Sequence, residues 1–280
     1  MMTSRRGNSH WETLWTPGRP VMSCSSGGCE YAPCQVNVDS RQTGSEQTSA
    51  RVRAAYANPS ALIDVDVRLP PTLGKFPVSR PMAKWLAAAI HGLGCRSVLE
   101  FGAGWSSLVI AQALAAEGGG RLTTVEHERE LLPRDAWNRL ERIQNVDVAL
   151  VIAPLRLTLS SHGWLWSYRG VRRYFRERMP FDLVFIDGPP GEYGRTSPLF
   201  DAYPFLQPGG VIVLDDAARP GEQRAIARWL ATFPDLELLL LDTEAGRGIA
   251  VLVRHGGAHR RLALRAVLGT FRDRWRNWRR

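Results

Sequence analysis

Lysine is nearly absent from this chain of 280 residues; only Lys75 and Lys84 occur. The net charge of +9 is therefore carried by arginine, as a GC-rich coding bias would give, and the surplus is concentrated in Arg254 to Arg280. A basic tail says less about nucleic acid than a basic groove would, so a nucleic-acid partner is disfavoured. No apolar run approaches the roughly 20 residues of a membrane span. Met1 to Pro20 lacks the apolar core of a secretory signal, and the expected location is the cytoplasm. Cysteine is scarce too. Cys24, Cys29 and Cys34 are evenly spaced but form no C-x2-C pair and have no histidine pair beside them. Together with Cys95 they read as reduced thiols rather than a zinc site.

What the chain does have is alternation. Residues 1–57 show no sustained hydrophobic period and read as a poorly ordered leader. Residues 58–255 read as one domain. Ser79 caps a helix with Met82, Trp85, Leu86, Ala89, Ile90 and Leu93 on one face, and Gly94 ends it. Strands are expected at Ser97–Phe101, Leu122–Glu126, Val146–Ile152, Phe181–Ile186, Val211–Leu214, Leu236–Leu241 and Ile249–Val253. Helices separate most of them. Leu155 to Pro180, rich in Trp, Tyr and Arg, reads as irregular, and its aromatics as a candidate substrate lid. Strand–helix alternation implies an α/β, doubly wound, mostly parallel seven-stranded sheet with helices on both faces. The short loop before the last strand makes that strand antiparallel. Residues 256–280 read as a basic amphipathic helix, with Leu262, Leu264, Val267, Leu268, Phe271 and Trp275 on its apolar positions. That helix could pack on the domain edge, lie on an anionic membrane surface or bind nucleic acid.

The most informative stretch is Ser97-Val98-Leu99-Glu100-Phe101-Gly102-Ala103-Gly104-Trp105-Ser106-Ser107. Its order is strand, glycine turn, helix N-terminus. Glycine lets a ligand lie against the main chain, where unpaired N–H groups face it. A dinucleotide turn needs a third glycine, and that position is Ser107. No phosphate-binding lysine follows. Glu126, ending the second strand, can accept hydrogen bonds from both hydroxyls of a ribose. An oxidoreductase is further disfavoured by the lack of a Tyr-x-x-x-Lys pair.

Four motifs in order carry a family resemblance. Val98 to Gly104 resembles the first motif of class I S-adenosylmethionine-dependent methyltransferases, and Thr124-Val125-Glu126-His127 their second. Phe181-Asp182-Leu183-Val184-Phe185-Ile186-Asp187-Gly188 and Leu206 to Asp216 are similar to their fourth- and fifth-strand signatures. The resemblance covers about Ser79 to Val253 and implies a Rossmann-like sheet and S-adenosylmethionine as cofactor. It further implies that Gly102, Gly104 and their neighbours Phe101, Ala103 and Ser106 line the methionine and ribose portion. Glu100 would hold the amino-acid end through the turn, Glu126 and His127 would meet the ribose, and Ala153 would flank the adenine.

Asp187, Asp215 and Asp216 fall at two neighbouring strand ends. Three carboxylates so close raise one another's pKa, and a divalent cation removes the conflict. Oxygen-only ligands suit Mg2+. The same placement occurs in the metal-dependent O-methyltransferases, of which the sugar type is the more similar. The Gly188-Pro189-Pro190-Gly191 turn departs from that type. It leaves open a metal-free reading, in which Asp187 contacts cofactor or substrate and Asp215 and Asp216 cap the next helix. The expected activity is methylation of a hydroxyl on a small molecule or glycan, with Asp187 and His162 as candidate catalytic residues. The alternative is a catalytically degenerate relative that binds nucleic acid or a membrane through its basic tail.

Overall fold

A computed structural model describes residues 47–52, 78–160, 162–242 and 247–256. The expectations for most of the leader, for Cys24, Cys29 and Cys34, and for the C-terminal helix lie outside the described residues. Residues 47–52 are helical, and Val52 is buried in the main core.

Helix α1, Arg80–Leu93, begins where Ser79 Oγ accepts the Met82 amide and ends at Gly94, which is left-handed at φ 64. The strands are β1 Ser97–Phe101, β2 Gly120–Glu126, β3 Val146–Ile152, β4 Leu155–Ser160, β5 Gly163–Tyr168, β6 Phe181–Ile186, β7 Leu206–Asp215, β8 Leu236–Asp242 and β9 Ile249–Arg254. The further helices are α2 Trp105–Ala116, α3 Arg134–Leu140, α4 Val171–Arg178, α5 Ser197–Ala202 and α6 Pro220–Thr232.

Seven strands form one sheet in the order β3-β2-β1-β6-β7-β9-β8, and β9 alone runs against the direction of the other six. Alternation along the strands sorts the apolar residues into two cores. Val98, Leu183, Phe185, Val213 and Val251 face α1, α2 and α3. Leu99, Val184, Ile186, Ile212 and Leu214 face α4, α5 and α6. A sheet covered on both sides needs such near-continuous apolar strands. Asp182 fixes the register at its base, where Oδ2 accepts the amides of Arg96 at 2.6 Å and Ser97 at 2.8 Å. Beside this clamp Cys95 is buried.

The segment read as irregular is ordered. Strands β4 and β5 pair as an antiparallel hairpin, and α4 follows. Tyr168 and Phe175 are core residues against Phe101, with ring centroids 5.4 and 5.8 Å away. The lid reading survives only for Trp164 and Trp166, which are exposed on the hairpin. No helix among the described residues is long and apolar enough to cross a membrane.

Candidate functional site

Register assembles the site. Phe101 lies opposite Val125 on one side and Ile186 on the other, and Ile186 lies opposite Leu214. The residues that follow are Gly102, Glu126, Asp187 and Asp215, so all four reach one rim. Strand order reverses between β1 and β6, and ligands in such sheets bind outside the carboxyl ends at that point. A cavity of about 720 Å³ opens there. Its lining includes Gly102, Ala103, Gly104, Ser106, Glu126, His127 and Asp187, all of them expected from the sequence.

The two glycines of the turn have different reasons. Gly102 has φ +98, and a Cβ there would stand 2.9 Å from the Gly188 nitrogen. The turns after β1 and β6 touch at that point, where Gly188 N donates to Phe101 O at 2.7 Å. Gly104 meets no such neighbour. A Cβ there would have no protein atom within 4 Å, so its missing side chain leaves open space on the cavity wall.

Glu126 Oε1 accepts the amides of His127 at 2.5 Å and Glu128 at 3.2 Å, which fixes the carboxylate at the rim. No hydrogen bond falls on its Oε2 among the described residues. The His127 ring also pairs with Glu126 and packs against Tyr193, with centroids 6.1 Å apart. Glu100 is fully buried beneath the turn and does not line the cavity. Its Oε2 accepts from Ser107 Oγ at 2.5 Å, and Ser107 Oγ in turn accepts the Gly104 amide. Burial raises its pKa to about 7, against the opposing hydroxyls of Ser106, Ser107 and Thr124. Phe101 and Ala153 are likewise buried under the rim, outside the lining.

The acidic cluster is real. Ligand oxygens of Asp187, Asp215 and Asp216 lie within 4.8 Å of one another. Asp216 has φ 60, in the left-handed region, and Asp215 Oδ1 accepts its amide at 2.8 Å. What the sequence reading missed is Arg195. It is 5% exposed, and its Nη2 lies 3.1 Å from Asp187 Oδ1 and 2.8 Å from Asp216 Oδ2. Arg219 Nη1 is 2.9 Å from the same Asp216 oxygen, and Arg247 Nε is 3.8 Å from the other. The donor chemistry suits Mg2+, but a guanidinium already binds two of the three carboxylates. As arranged, these residues do not fit a divalent ion. Burial, opposed by Arg195 and reinforced by Asp215, Asp216 and Glu100, raises Asp187 far above the ordinary carboxyl range, to about 8.

His162 stands elsewhere. It is at the hairpin, stacked on Phe200 at 3.8 Å, and does not line the cavity. Burial, Arg228 and Arg172 lower its pKa. The stretch Glu130 to Asp135 also lines the cavity and was not expected from the sequence.

The sheet order and the glycine cradle at the reversal point define the class I methyltransferase fold. Residues 99–217 match the family model described as a methyltransferase domain. Over residues 99–217 the chain therefore carries a methyltransferase domain. No curated protein matches the chain. Among solved structures it is similar to an O-methyltransferase from Bacillus cereus in complex with S-adenosylhomocysteine (19% identity over 79% of this chain and 93% of that one, TM-score 0.46). It is similar to an O-methyltransferase from Streptomyces achromogenes in complex with S-adenosylmethionine (20%, 76% and 90%, TM-score 0.47). A third is a methyltransferase from Podospora anserina bound to S-adenosylhomocysteine (17%, 81% and 99%, TM-score 0.45).

Proposed function

We propose that this protein binds S-adenosylmethionine in the cavity at the β1–β6 reversal and methylates a hydroxyl oxygen of a small molecule or glycan. The observation that carries this reading is the position of Asp187. It stands on the cavity wall beside the glycine cradle, with one oxygen tied to Arg195 and its pKa raised into the working range of a base.

The residues present fit the cofactor. Gly104 supplies the open wall, Gly102 the close turn, and Glu126 a fixed carboxylate with an unclaimed oxygen for ribose hydroxyls. When bound, S-adenosylmethionine supplies an electrophilic methyl group on a sulfonium. The chain's own part is to orient the acceptor and take its proton. With Oδ1 held by Arg195, Asp187 Oδ2 is the atom that accepts the hydroxyl proton. The acceptor oxygen would take the methyl group that the sulfonium supplies, with the thioether as leaving group. No step is assigned to Mg2+.

The test has two parts. Calorimetry should give saturable S-adenosylmethionine binding; none at millimolar cofactor would sink the reading. Sugars, catechols and uronic acids are then screened for S-adenosylhomocysteine release. With an acceptor in hand, Asp187→Asn should lower kcat by about 10²–10⁴-fold and leave cofactor affinity nearly unchanged. The wild-type rate should climb with pH as Asp187 loses its proton, and the variant should lose that limb. A variant with an unchanged rate and pH profile removes Asp187 as the base.

A further inference from the structure

The carboxylates at the ends of β6 and β7 are organised around one buried side chain. Arg195 reaches in from the segment between β6 and α5 and uses every face of its guanidinium. Nη2 bridges Asp187 Oδ1 and Asp216 Oδ2 at 3.1 and 2.8 Å. Nη1 donates to the Asp215 carbonyl at 2.9 Å, and Nε donates to the Pro189 carbonyl at 3.3 Å. Glu222 Oε1 lies 3.8 Å from Nε. Two buried carboxylate oxygens of this cluster have no hydrogen bond, Asp216 Oδ1 and Glu222 Oε1, and both face guanidinium groups at 3.8–3.9 Å.

Two constraints follow from this geometry. A hard divalent ion binds carboxylate oxygens at about 2.1 Å and needs several of them. One oxygen of Asp187 and one of Asp216 are already bridged by Nη2. Arginine also cannot lose its charge in a protein. An ion on these oxygens would stand beside a fixed positive group. Three guanidiniums, Arg195, Arg219 and Arg247, already stand against the four carboxylates of Asp187, Asp215, Asp216 and Glu222.

We propose that Arg195 is the resident cation of this rim: it occupies the place a divalent metal would take, fixes the Asp187 carboxylate through Oδ1, and makes the transfer independent of divalent metal. The second and third clauses rest on the methyltransferase reading above; the first does not. Arg195 is thus a positioning residue, acting through Asp187. One guanidinium nitrogen holds both carboxylates without an exchangeable ligand, which leaves Asp187 Oδ2 as the oxygen not tied to Arg195.

The experiment uses the full chain and Mn2+ as the probe, read by electron paramagnetic resonance. Wild type should show no saturable binding up to about 1 mM Mn2+. Arg195→Ala and Arg195→Gln, checked for folding by circular dichroism, free the carboxylates. Each should bind Mn2+ at least about tenfold more tightly than wild type. Arg195→Lys keeps the charge and should stay metal-free. Methylation by wild type should be unchanged in a chelator. Saturable Mn2+ binding by wild type below about 1 mM, lost in Asp216→Asn, overturns the proposal. So does a folded Arg195→Ala or Arg195→Gln that gains no affinity, or a wild-type rate lost to the chelator and restored by Mg2+. Because Mn2+ binding needs neither cofactor nor acceptor, failure of the methyltransferase reading would leave this result standing.

Discussion

Glu100 is the residue whose position and protonation are most tightly linked. It sits under the glycine turn, out of the cavity, with its pKa raised from an ordinary 4.5 to about 7. A carboxyl raised on folding prefers to be protonated in the folded state. Its contribution to stability is complete below about pH 4.5 and is lost as pH rises through about 7. Glu100→Gln mimics the protonated form. Denaturant melts at several pH values should show the variant within about 1 kcal/mol of wild type near pH 4.5 and more stable by about 3 kcal/mol above pH 8. A difference that does not change with pH would mean that Glu100 is not the group responsible. The sequence placed Glu100 correctly at the strand end but assigned it to the ligand. Only packing shows that Ser107 claims it first.

At the scale of elements, the glycine turn separates two roles that composition cannot. Gly102 is needed for the fold, because its φ of +98 and its contact with Gly188 exclude a side chain. Gly104 has an extended φ of -172 that any residue adopts, and open space before it. Gly104→Val should therefore leave the melting temperature within about 2 °C of wild type. It should weaken S-adenosylmethionine binding about tenfold or more, measured by calorimetry. Equal losses of both would mean that the space belongs to the fold. Strand ends were legible for the same reason: glycine turns and terminal acids punctuate β1, β2, β6 and β7. The β4–β5 hairpin was not. Leu155, Leu157 and Leu159 alternate with Arg156 and Thr158, but the apolar Leu165 between Trp164 and Trp166 breaks the period of two in the second strand. Arg195 was hidden more deeply. It lies in no motif, and its partners come from Asp187, Asp216 and Glu222, which only the sheet register brings together.

For the whole molecule, one crossing point matters. The order reverses between β1 and β6, so the strands that carry the glycine turn and the acidic rim are direct neighbours. The base of the same pair is closed by Asp182, and Cys95 is sealed beside it. Burial first, and the Asp182 charge second, push its thiol far above the usual range, so the thiolate that reacts with alkylating agents is scarce. That makes Cys95 a clock. Under native conditions its alkylation, followed by mass spectrometry of the peptide that contains it, reports local opening of the core at the base of β1. Its rate should fall when S-adenosylmethionine binds at the far end of that pair, in step with the gain in stability. A rate indifferent to the cofactor would mean that the two ends of the central strands open separately.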